Sequence, residues 1–467
     1  MQRRTLAKAG LAALLLPASA YAAERRTDCD VLVVGSGAAG LSAAVAALEA
    51  GAERVTVLEK APLLGGHSIL STGSVSVAFP DPETGGREEN VRRMVEDMLA
   101  AGGEDADPSL VRILASESYD AVLWLESLGL RWNRLPFRAV SSTAERNIST
   151  GSVRAGYDYV QTLLHTAKTR GVSIRYRTEA LRLLEEEGRV TGVVVRGPEG
   201  ETTMTARAVV LATGGFTANL AMRRQYDPRL HEGLRTTANP EGYSIDGATG
   251  DGIRMAEAIG AKTVGMSHIQ LIPFIGGRVT DYVGGEVWVN ARGERFVNEE
   301  AGFRTLYEAI LSQPEGRLWT ITDSQSRKNA SFATKLYTGA VRRADTVEDM
   351  AREMDVRPEV LHETLRRYNA FVEKRRDEDF GRTSFTQRID RPPYYFGEER
   401  FAVHFTCGGL SIDERARVLD RANQPIEGLY AAGETTGGIH GRDRLGGNSL
   451  TDCFVFGRIA GTNAAQE

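Results

Sequence analysis

The stretch from Asp30 to Glu59 constrains the fold of this chain more than any other part of it. It opens with an apolar run, Val31 to Val34, followed by the glycine-rich segment GSGAAG and by alanine-rich sequence made of good helix formers. A second apolar run, Val55 to Leu58, ends at Glu59. The pattern predicts a strand, a tight turn, a helix and a second strand, which is the βαβ arrangement that binds dinucleotides.

Each glycine of this loop has a physical reason to be there. Gly35 permits the turn, Gly37 lets backbone N–H groups approach a pyrophosphate at the helix N-terminus, and Gly40 allows helix and strand to pack closely. Glu59 stands where an acidic residue accepts hydrogen bonds from the ribose hydroxyls of a dinucleotide. A glycine-rich turn without a ligand is the alternative. The loop alone does not distinguish NAD from FAD.

Length and composition limit the class of protein. A chain of 467 residues should form two or more lobes, because one hydrophobic core seldom grows beyond about 250 to 300 residues. The formal net charge of -5 offers no basis for binding nucleic acid. Cys29, Cys407 and Cys453 are widely spaced, so we predict neither a metal site nor a disulfide framework. Without a CxxCH motif, any haem-borne electrons have to come from another protein.

The N-terminus has the features of an export signal. Arg3-Arg4 precedes an apolar segment, Ala9 to Leu16, and Ala20-Tyr21-Ala22 offers a cleavage site. The twin arginine favours the Tat route, and a basic segment for the Sec route is the alternative. The apolar segment is too short to anchor the protein in a bilayer. We therefore predict a signal peptide over residues 1–23 and a mature periplasmic protein that does not span the membrane.

Motif placement divides the mature chain into two lobes. The alternation of strands and helices that is typical of a dinucleotide-binding fold is absent from the sequence between Ile269 and about His404, and it resumes from Gly408. We predict an α/β first lobe formed by residues 24–270 and 405–467, and an inserted second lobe formed by residues 271–404. Helices are predicted over residues 90–101, 108–128, 157–170, 347–354 and 358–376. A strand is predicted over residues 172–176, one hairpin from residues 190–195 and 202–210, and a second hairpin over residues 280–295.

Six motifs occur in order along the chain: the GSGAAG loop with Glu59, ATGGF at 212–216, NARGERFVNE at 290–299, DEDFGR at 377–382, GLYAAGETTGGIHG at 428–441 and RLGGNSL at 444–450. Together they resemble the soluble fumarate reductase flavoproteins, a family related to the flavoprotein subunits of succinate dehydrogenase and to the 3-ketosteroid dehydrogenases. The resemblance covers nearly all of the mature chain. It implies an FAD cofactor, held non-covalently or covalently, in a discontinuous Rossmann-like FAD-binding domain with an inserted, mobile α+β capping domain.

The resemblance also implies which residues surround FAD. Thr213 and Gly214 end a strand with backbone that can lie against the cofactor, and Glu434 offers an acceptor to its hydroxyl groups. A helix predicted to begin at Ser449 would direct its positive dipole end towards the pyrimidine side of a reduced flavin. The candidate FAD-binding residues are Gly35, Gly37, Ala39, Gly40, Glu59, Lys60, Gly66, His67, Thr72, Gly73, Ala180, Thr213, Gly214, Gly433, Glu434, Asn448, Ser449 and Leu450.

Two arginines resemble the substrate-handling arginines of the family. In fumarate reductases, arginines clamp a substrate carboxylate and one arginine of the capping domain donates a proton, while flavin N5 exchanges a hydride with the adjacent carbon–carbon bond. A guanidinium binds a carboxylate bidentately, which lysine cannot do. Arg444 resembles the carboxylate-binding arginine. Arg304 resembles the proton donor but lies one residue later, as in the tricarballylate dehydrogenase branch. His404 is the third candidate catalytic residue, and support of its strand is the alternative role.

Two positions depart from the fumarate reductase pattern. Ile272 stands where the family's IQAHPT segment has a histidine, and Phe405 stands where HHTMGG has its second histidine. These changes argue against fumarate, because one of its carboxylates would lack polar partners in a partly desolvated site. We hypothesise a monocarboxylate or a larger enoate as substrate. His67 stands where membrane-bound relatives carry a flavin-linked histidine, so covalent FAD and a plain hydrogen bond are both open.

These observations predict a periplasmic FAD-dependent oxidoreductase that interconverts a carbon–carbon single and double bond next to a carboxylate, with Arg304 as the proton donor. The expected partners are a small unsaturated or saturated carboxylate and an external electron carrier, either a cytochrome or a quinone-linked protein. The direction of the reaction stays open. Two alternatives remain, namely a 3-ketosteroid dehydrogenase type of reaction and a flavin electron-transfer subunit without its own substrate.

Overall fold

The structure, a computed structural model, describes residues 27–467 apart from residues 140, 153, 281, 283, 314–316 and 330, and the side chains of residues 274, 275 and 311 are also left undescribed. The predicted signal peptide lies outside the described residues. Within them, no helix is both long enough and apolar enough to cross a membrane.

The predicted strand–turn–helix–strand unit forms the centre of the first lobe. β1 (Cys29–Val34) leads into α1 (Ala38–Glu49), and β2 (Val55–Leu58) has the predicted bounds. β1 pairs in parallel with β2 on one side and with β9 (Gly200–Leu211) on the other. Every residue of β1 and β2 is buried, as expected for parallel strands covered on both faces.

The central sheet extends to both sides of this unit. β6 (Ser173–Arg175) pairs in parallel with β2, and β18 (Pro425–Ala431) pairs in parallel with β9. The hairpin predicted from residues 190–195 and 202–210 is present, because β8 (Arg189–Gly197) pairs antiparallel with β9, and β7 (Glu179–Glu186) continues it. β17 (Arg417–Leu419) pairs antiparallel with β18 at the edge. The predicted Rossmann-like α/β class is confirmed.

Helices cover this sheet. The start of the helix at Pro108 was predictable from the Asp107-Pro108 pair. In the structure the Asp107 side chain caps this helix by accepting a hydrogen bond from the backbone N–H of Ser109, and proline is favoured at the first helical position. The helices of the first lobe are α2 (Gly86–Gly102), α3 (Pro108–Ser127), α4 (Ala155–Thr169), α5 (Leu220–Tyr226), α6 (Asp251–Glu257) and α11 (Asn448–Ala464). Two small sheets add β3 (Val75–Ser76), β4 (Asn133–Phe137) and β5 (Asn147–Ser149), and β10 (Thr263–Val264) with β16 (Gly409–Leu410).

The second lobe is built on an antiparallel sheet. Its strands are β11 (Ile269–Gly276), β12 (Val287–Asn290), β13 (Leu318–Thr322), β14 (Arg342–Ala344) and β15 (Tyr394–Thr406). They lie in the order β11, β15, β13 and β12, and β14 also pairs with β15. The helices of this lobe are α7 (Phe303–Leu311), α8 (Phe332–Thr338), α9 (Val347–Met354) and α10 (Pro358–Lys374).

The hairpin predicted over residues 280–295 is wrong in its pairing. Its one extended strand in the described residues, β12, pairs with β13 from later in the chain, and Val289 faces Arg295 only in an isolated bridge of a tight turn. All four side chains of β12 are buried. A two-stranded ribbon could not bury this strand on both faces, whereas the larger sheet does.

The predicted lobe boundaries fall inside two paired strands. Residues 270/271 lie within β11 and residues 404/405 within β15, and these strands pair through Ile269 with Thr406 and Gln270 with Phe405. The chain therefore enters and leaves the second lobe side by side. The division into residues 24–270 with 405–467 and 271–404 remains a prediction.

Candidate active site

A cavity of about 1120 Å³ is lined by residues of both lobes. It adjoins the carboxyl ends of β1, β2 and β9, where open α/β sheets bind ligands. Many predicted site residues line it, namely Gly35, Gly37, Ala39, Glu59, Lys60, Gly66, His67, Thr72, Gly73, Ala180, Thr213, Gly214, His404, Glu434, Arg444, Ser449 and Leu450. Residues separated by hundreds of positions in sequence therefore share one cavity.

Four predicted site residues do not line the cavity. Gly40 packs inside the fold, where an added Cβ would lie 2.0 Å from the carbonyl oxygen of Gly35. Gly433 packs against Ala39, and Asn448 is buried at the start of α11. Among described atoms, Oδ1 of Asn448 has no hydrogen-bond partner. The fourth residue, Arg304, lies in a separate small cleft.

The glycine loop is shaped by its contacts with the next strand. Gly35 has a φ of +108°, and a Cβ there would lie 2.2 Å from the carbonyl oxygen of Ala212. The Glu59 carboxylate accepts hydrogen bonds from the Ser36 backbone and hydroxyl at 3.3 and 2.5 Å, and from the backbone N–H of Ala61 at 2.8 Å. Ser36 was not predicted as a site residue. It ties the acidic residue to the loop, so the two parts of the motif form one surface.

The N-terminus of α1 opens towards the cavity. Gly37 is its N-cap and supplies no side-chain hydrogen bond, while the hydroxyl of Ser68 accepts from the backbone N–H of Ala38 at 3.1 Å. A helix N-terminus with free N–H groups favours an anion such as a pyrophosphate. The cavity, the glycine loop and Glu59 thus fit the charge pattern of a dinucleotide.

His67 is paired with an aspartate that the sequence did not reveal. Its Nε2 lies 2.6 Å from Oδ1 of Asp246, and the other oxygen of that carboxylate accepts from the hydroxyl of Thr236 at 2.5 Å. Burial lowers the pKa of His67, but the hydrogen bond and charge of Asp246 outweigh it, so the net pKa is raised. The Asp246 carboxylate thus favours the protonated form of His67.

Two further carboxylates border the cavity on the first lobe. The first is Asp251, which accepts a hydrogen bond from the ammonium group of Lys60 at 2.5 Å. Lys60 also donates to the hydroxyl of Thr249 at 2.6 Å, so both partners of this lysine belong to the first lobe. Glu434 accepts from the backbone N–H of Thr406 at 2.9 Å and from its hydroxyl at 3.1 Å through the same oxygen, Oε1. Burial raises the pKa of Glu434.

Arg444 is a buried cation at the junction of the lobes. It is 3% exposed, and its Nη2 donates to the side-chain oxygen of Gln270 at 2.8 Å. Its Nη1 donates to the carbonyl of Leu445 at 3.1 Å, while Nε has no partner among the described atoms. Burial lowers the pKa of Arg444. A guanidinium that faces a cavity with an unsatisfied N–H can bind a carboxylate.

The surface beside Arg444 is largely apolar. Phe405 lies under the guanidinium at 5.0 Å from ring centroid to Cζ, and Ile272, Pro273 and Phe303 also line the cavity. Ile272 and Phe405, the two positions predicted to depart from the fumarate reductase pattern, therefore both line the cavity. His404 lines it too, with Nδ1 2.9 Å from the hydroxyl of Thr237. Burial lowers the pKa of His404 well below its usual range, so it is neutral.

Arg304 is not brought to the cavity, whereas its neighbour Phe303 is. Arg304 is exposed, and its backbone N–H donates weakly to Asp443 at 3.5 Å. Asp443 accepts from the side-chain amide of Gln270 at 2.8 Å, and Gln270 in turn contacts Arg444. The two predicted arginines thus lie on opposite sides of one hydrogen-bonded chain.

Two of the six motifs meet in a buried ion-pair cluster of the second lobe. Arg295 donates to Glu299 at 2.8 and 2.7 Å and to Asp377 at 2.9 Å, and Arg382 donates to Glu299 at 3.1 Å. All four side chains are 5% exposed or less. These motif residues therefore hold the second lobe together and lie outside the cavity lining. Removing one partner would leave a buried charge uncompensated.

The comparisons with known proteins agree with this geometry. The family described as FAD binding domain matches residues 30–450. A fumarate reductase (cytochrome) from Shewanella frigidimarina is 36% identical over 458 residues, covering 96% of this chain and 79% of that protein. A urocanate reductase from Eggerthella lenta is 34% identical, covering 94% and 75%. The solved 3-ketosteroid-Δ4-(5α)-dehydrogenase from Rhodococcus jostii RHA1 is 27% identical, with a TM-score of 0.74, covering 95% and 99%.

The fold and the cavity define a flavin-dependent oxidoreductase with FAD as its cofactor. The chain belongs to the family of FAD-binding proteins that includes the fumarate reductase flavoproteins. Within the described residues there is no cluster of three His, Cys, Asp or Glu side chains that could hold a metal ion. Cys29, Cys407 and Cys453 form no disulfide.

Proposed function

We propose that this protein is an exported FAD-dependent enzyme that interconverts a carbon–carbon single and double bond in an enoate other than fumarate. One observation carries the proposal. Arg444, a buried guanidinium with an unsatisfied Nε–H, faces a cavity whose adjoining side chains, Ile272, Phe303 and Phe405, are apolar. This arrangement fits one carboxylate next to an apolar group. It leaves the second carboxylate of fumarate without the histidines that the family uses.

The chain's own residues would bind and orient the substrate. Arg444 holds the carboxylate through charge-assisted hydrogen bonds, and Gln270 fixes the guanidinium from behind. Phe405, in contact with the guanidinium, excludes water on that side and strengthens the electrostatic attraction. Bound FAD supplies hydride transfer between its N5 and a carbon of the substrate. Neutral His404 can hydrogen-bond the substrate without adding a charge.

The proton route through Arg304 stays a proposal. In this conformation Phe303 lines the cavity and Arg304 is exposed beside Asp443. Both residues lie in the first turn of α7, which is preceded by Gly302. A rotation of this turn would exchange the two side chains. If Arg304 is the donor, Arg304→Ala should lower turnover strongly while Arg229→Ala, which removes another exposed arginine of the same cleft, should not.

Export and the electron carrier are further parts of the proposal. The Arg3-Arg4 pair and the absence of a CxxCH motif support a Tat-exported protein that exchanges electrons with a separate cytochrome or quinone-linked protein in the periplasm. Replacing both arginines by lysine should abolish export of the folded flavoprotein if the Tat route is used. Export that continues unchanged would contradict it.

A 3-ketosteroid type of reaction is the second candidate function. The apolar surface at Ile272, Phe303 and Phe405 favours it, and so does the likeness to a ketosteroid dehydrogenase. Arg444 argues against it, because a ketone has no charge to offset a buried guanidinium.

The test is anaerobic reoxidation of the reduced holoenzyme. Dithionite-reduced protein is mixed with cinnamate, urocanate, fumarate or an unsaturated 3-ketosteroid, and the return of flavin absorbance is followed. Reoxidation by the aryl enoates supports the proposal. Fumarate reacting as fast as the aryl acids, or reaction with the steroid alone, would contradict it. If none of the compounds reoxidises the flavin, the result would favour the electron-transfer subunit without its own substrate.

A further inference from the structure

Asp443 connects the two lobes through the two oxygens of one carboxyl group. Its Oδ1 accepts a hydrogen bond from the side-chain amide of Gln270 at 2.8 Å. Its Oδ2 lies at the start of α7 in the second lobe, 3.5 Å from the backbone nitrogen of Arg304. Asp443 borders the small cleft and does not line the cavity, so any effect on a substrate has to pass through another residue.

Among its described residues, α7 has no cap of its own. Its N-cap is Gly302, which makes no side-chain hydrogen bond, and its first turn contains no acidic residue. In α9 of the same lobe, by contrast, the Thr346 hydroxyl accepts a hydrogen bond from the backbone N–H of Asp349 at 3.1 Å. The first backbone N–H groups of a helix need acceptors, and negative charge is favoured beside them. Asp443 supplies an acceptor and a carboxyl group to α7 from the other lobe.

The missing side chain at Gly302 makes room for this contact. A Cβ at Gly302 would lie 2.5 Å from Oδ2 of Asp443 and 3.7 Å from its Cγ, and it would meet no other described atom within 4 Å. Gly302 has a φ of -59°, which other residues also adopt. Space for the Asp443 carboxyl group, and not backbone conformation, therefore explains the glycine.

The turn beside Asp443 carries an apolar side chain of the cavity. Phe303 is the first residue of α7 and lines the cavity together with Ile272. Further along the helix, Leu306 and Ile310 are buried in the same apolar cluster as Ile272 and hold the rest of α7 in place. Helix ends fray where their N–H groups lack acceptors, so the first turn depends most on a cap.

We propose that Asp443 is a positioning residue that caps α7 across the junction of the lobes and thereby holds Phe303 in the wall of the cavity. Gln270 directs the carboxyl group, because its amide binds Oδ1 and leaves Oδ2 for the helix. Gln270 also fixes Arg444, so the cation and the apolar side chain are held at a set spacing. For its effect on a substrate the inference rests on the proposed function, in which the apolar group of the enoate packs on Phe303.

Hydrogen exchange of the holoenzyme tests the cap without a substrate. In Asp443→Ala the amides of residues 303–307 should exchange about fivefold faster, which is the loss expected for a helix cap. Gln270 keeps the backbone carbonyl of Arg444 as an acceptor in this variant. Thr346→Ala is the matched control, since it removes the cap of α9 and should accelerate exchange there alone. Unchanged exchange of α7 in Asp443→Ala overturns the proposal.

A second variant breaks the same contact from the helix side. The new Cβ in Gly302→Ala would displace the Asp443 carboxyl group, so exchange of α7 should accelerate although Asp443 is still present. In an Asp443→Ala background the same change should have no effect on exchange, because its one close contact is gone. Equal effects of Gly302→Ala in the two backgrounds contradict the cap.

A cap built into the helix itself separates capping from other effects of Asp443. In Asp443→Ala combined with Gly302→Ser, the serine side chain has room, and its hydroxyl can accept a hydrogen bond from the first turn. This double variant should recover the slow exchange of α7. Exchange that stays fast in the double variant means that Asp443 does not act as a cap.

Cinnamate binding to the oxidised holoenzyme measures the effect on the cavity. Its half-saturating concentration, followed by the change in flavin absorbance, should rise about fivefold in Asp443→Ala and return in the double variant. In a Phe303→Ala background, Asp443→Ala should have no further effect, whereas in an Ile272→Ala background its effect should persist. Thr346→Ala should leave cinnamate binding unchanged. Bound flavin content and circular dichroism show that each variant is folded.

The outcomes separate this inference from the proposed function. If cinnamate binds and reoxidises the reduced flavin, and Asp443→Ala leaves its half-saturating concentration unchanged, enoate reduction stands and the positioning of Phe303 by Asp443 is overturned. If neither cinnamate nor any other enoate reacts, while exchange of α7 is accelerated in Asp443→Ala and recovered in the double variant, the proposed function fails and the cap stands.

Discussion

Gln270 forms two hydrogen bonds with Arg444: its side-chain oxygen accepts from the guanidinium at 2.8 Å, and its side-chain amide donates to the backbone carbonyl of Arg444 at 3.0 Å. The same amide donates to Asp443 at 2.8 Å. Burial raises the pKa of Asp443. The orientation of the buried arginine is thus set by β11, so the strand that carries the apolar side chain of Ile272 also positions the proposed carboxylate-binding group.

Arg444→Lys should impair binding of any enoate that the enzyme uses. The ammonium group cannot reproduce the hydrogen bonds of the guanidinium, so we expect the half-saturating concentration to rise about 100-fold, or ~2.7 kcal/mol. Arg442→Lys is the matched control, because Arg442 is exposed and pairs with Asp105. Equal effects of the two variants in anaerobic reoxidation assays would show that Arg444 does not bind the substrate.

Gly35→Ala should prevent FAD binding. The new Cβ would lie 2.2 Å from the carbonyl oxygen of Ala212, so the loop has to shift. Gly51→Ala is the matched control, since Gly51 has a similar φ of +100° and nothing within 4 Å of an added Cβ. It should cost only the backbone strain, about 1 to 2 kcal/mol. The ratio of bound flavin to protein should fall in the first variant alone, and normal flavin content there would refute the assigned role of the loop.

FAD should be released when the protein is denatured with acid. Nε2 of His67 is held at 2.6 Å by Asp246, which occupies a nitrogen that a histidyl–flavin bond would use. Trichloroacetic acid should therefore leave a colourless pellet and a yellow supernatant. A fluorescent protein band after denaturing gel electrophoresis would establish covalent attachment instead, and its loss in His67→Ala would assign the linkage.

Glu399→Gln should stabilise the protein above neutral pH. Burial raises the pKa of Glu399 from 4.5 to about 7, so the wild-type carboxyl group favours folding fully below 4.5 and loses this contribution as the pH rises through 7. Glutamine stays neutral, and we expect a gain of roughly 1 to 3 kcal/mol in the alkaline range. Thermal unfolding over a pH series measures it. A constant difference at all pH values would mean that Glu399 does not titrate in this range.

Local features of the sequence predicted the first lobe well. The glycine loop was identifiable because backbone geometry and close packing demand glycine at Gly35 and Gly40. The hydrogen-bond partners of the functional groups could not be predicted from the sequence. His67 and Asp246 are 179 residues apart, and nothing about an isolated aspartate in a loop indicates that it will meet a histidine. Ser36 is likewise too common a residue type to reveal its bond with Glu59.

The position of Arg304 shows a different limit of prediction from the sequence. A spacing that is off by one residue turns a helical side chain by about 100°. Sequence comparison could place the arginine near the site but could not decide whether Phe303 or Arg304 faces the cavity. That choice depends on how Gly302 and Asp443 fit together at the start of α7, where an added Cβ on Gly302 would lie 2.5 Å from the Asp443 carboxylate.

The pairing of β11 with β15 has a mechanical consequence. These strands carry the chain between the lobes, and they are hydrogen-bonded to each other where they cross, at Ile269 with Thr406 and Gln270 with Phe405. Any rotation of the second lobe relative to the first must therefore bend both strands together. Because Gln270 and Phe405 lie where the two strands pair and both contact Arg444, such a rotation would also displace Arg444, the residue proposed to bind the substrate carboxylate.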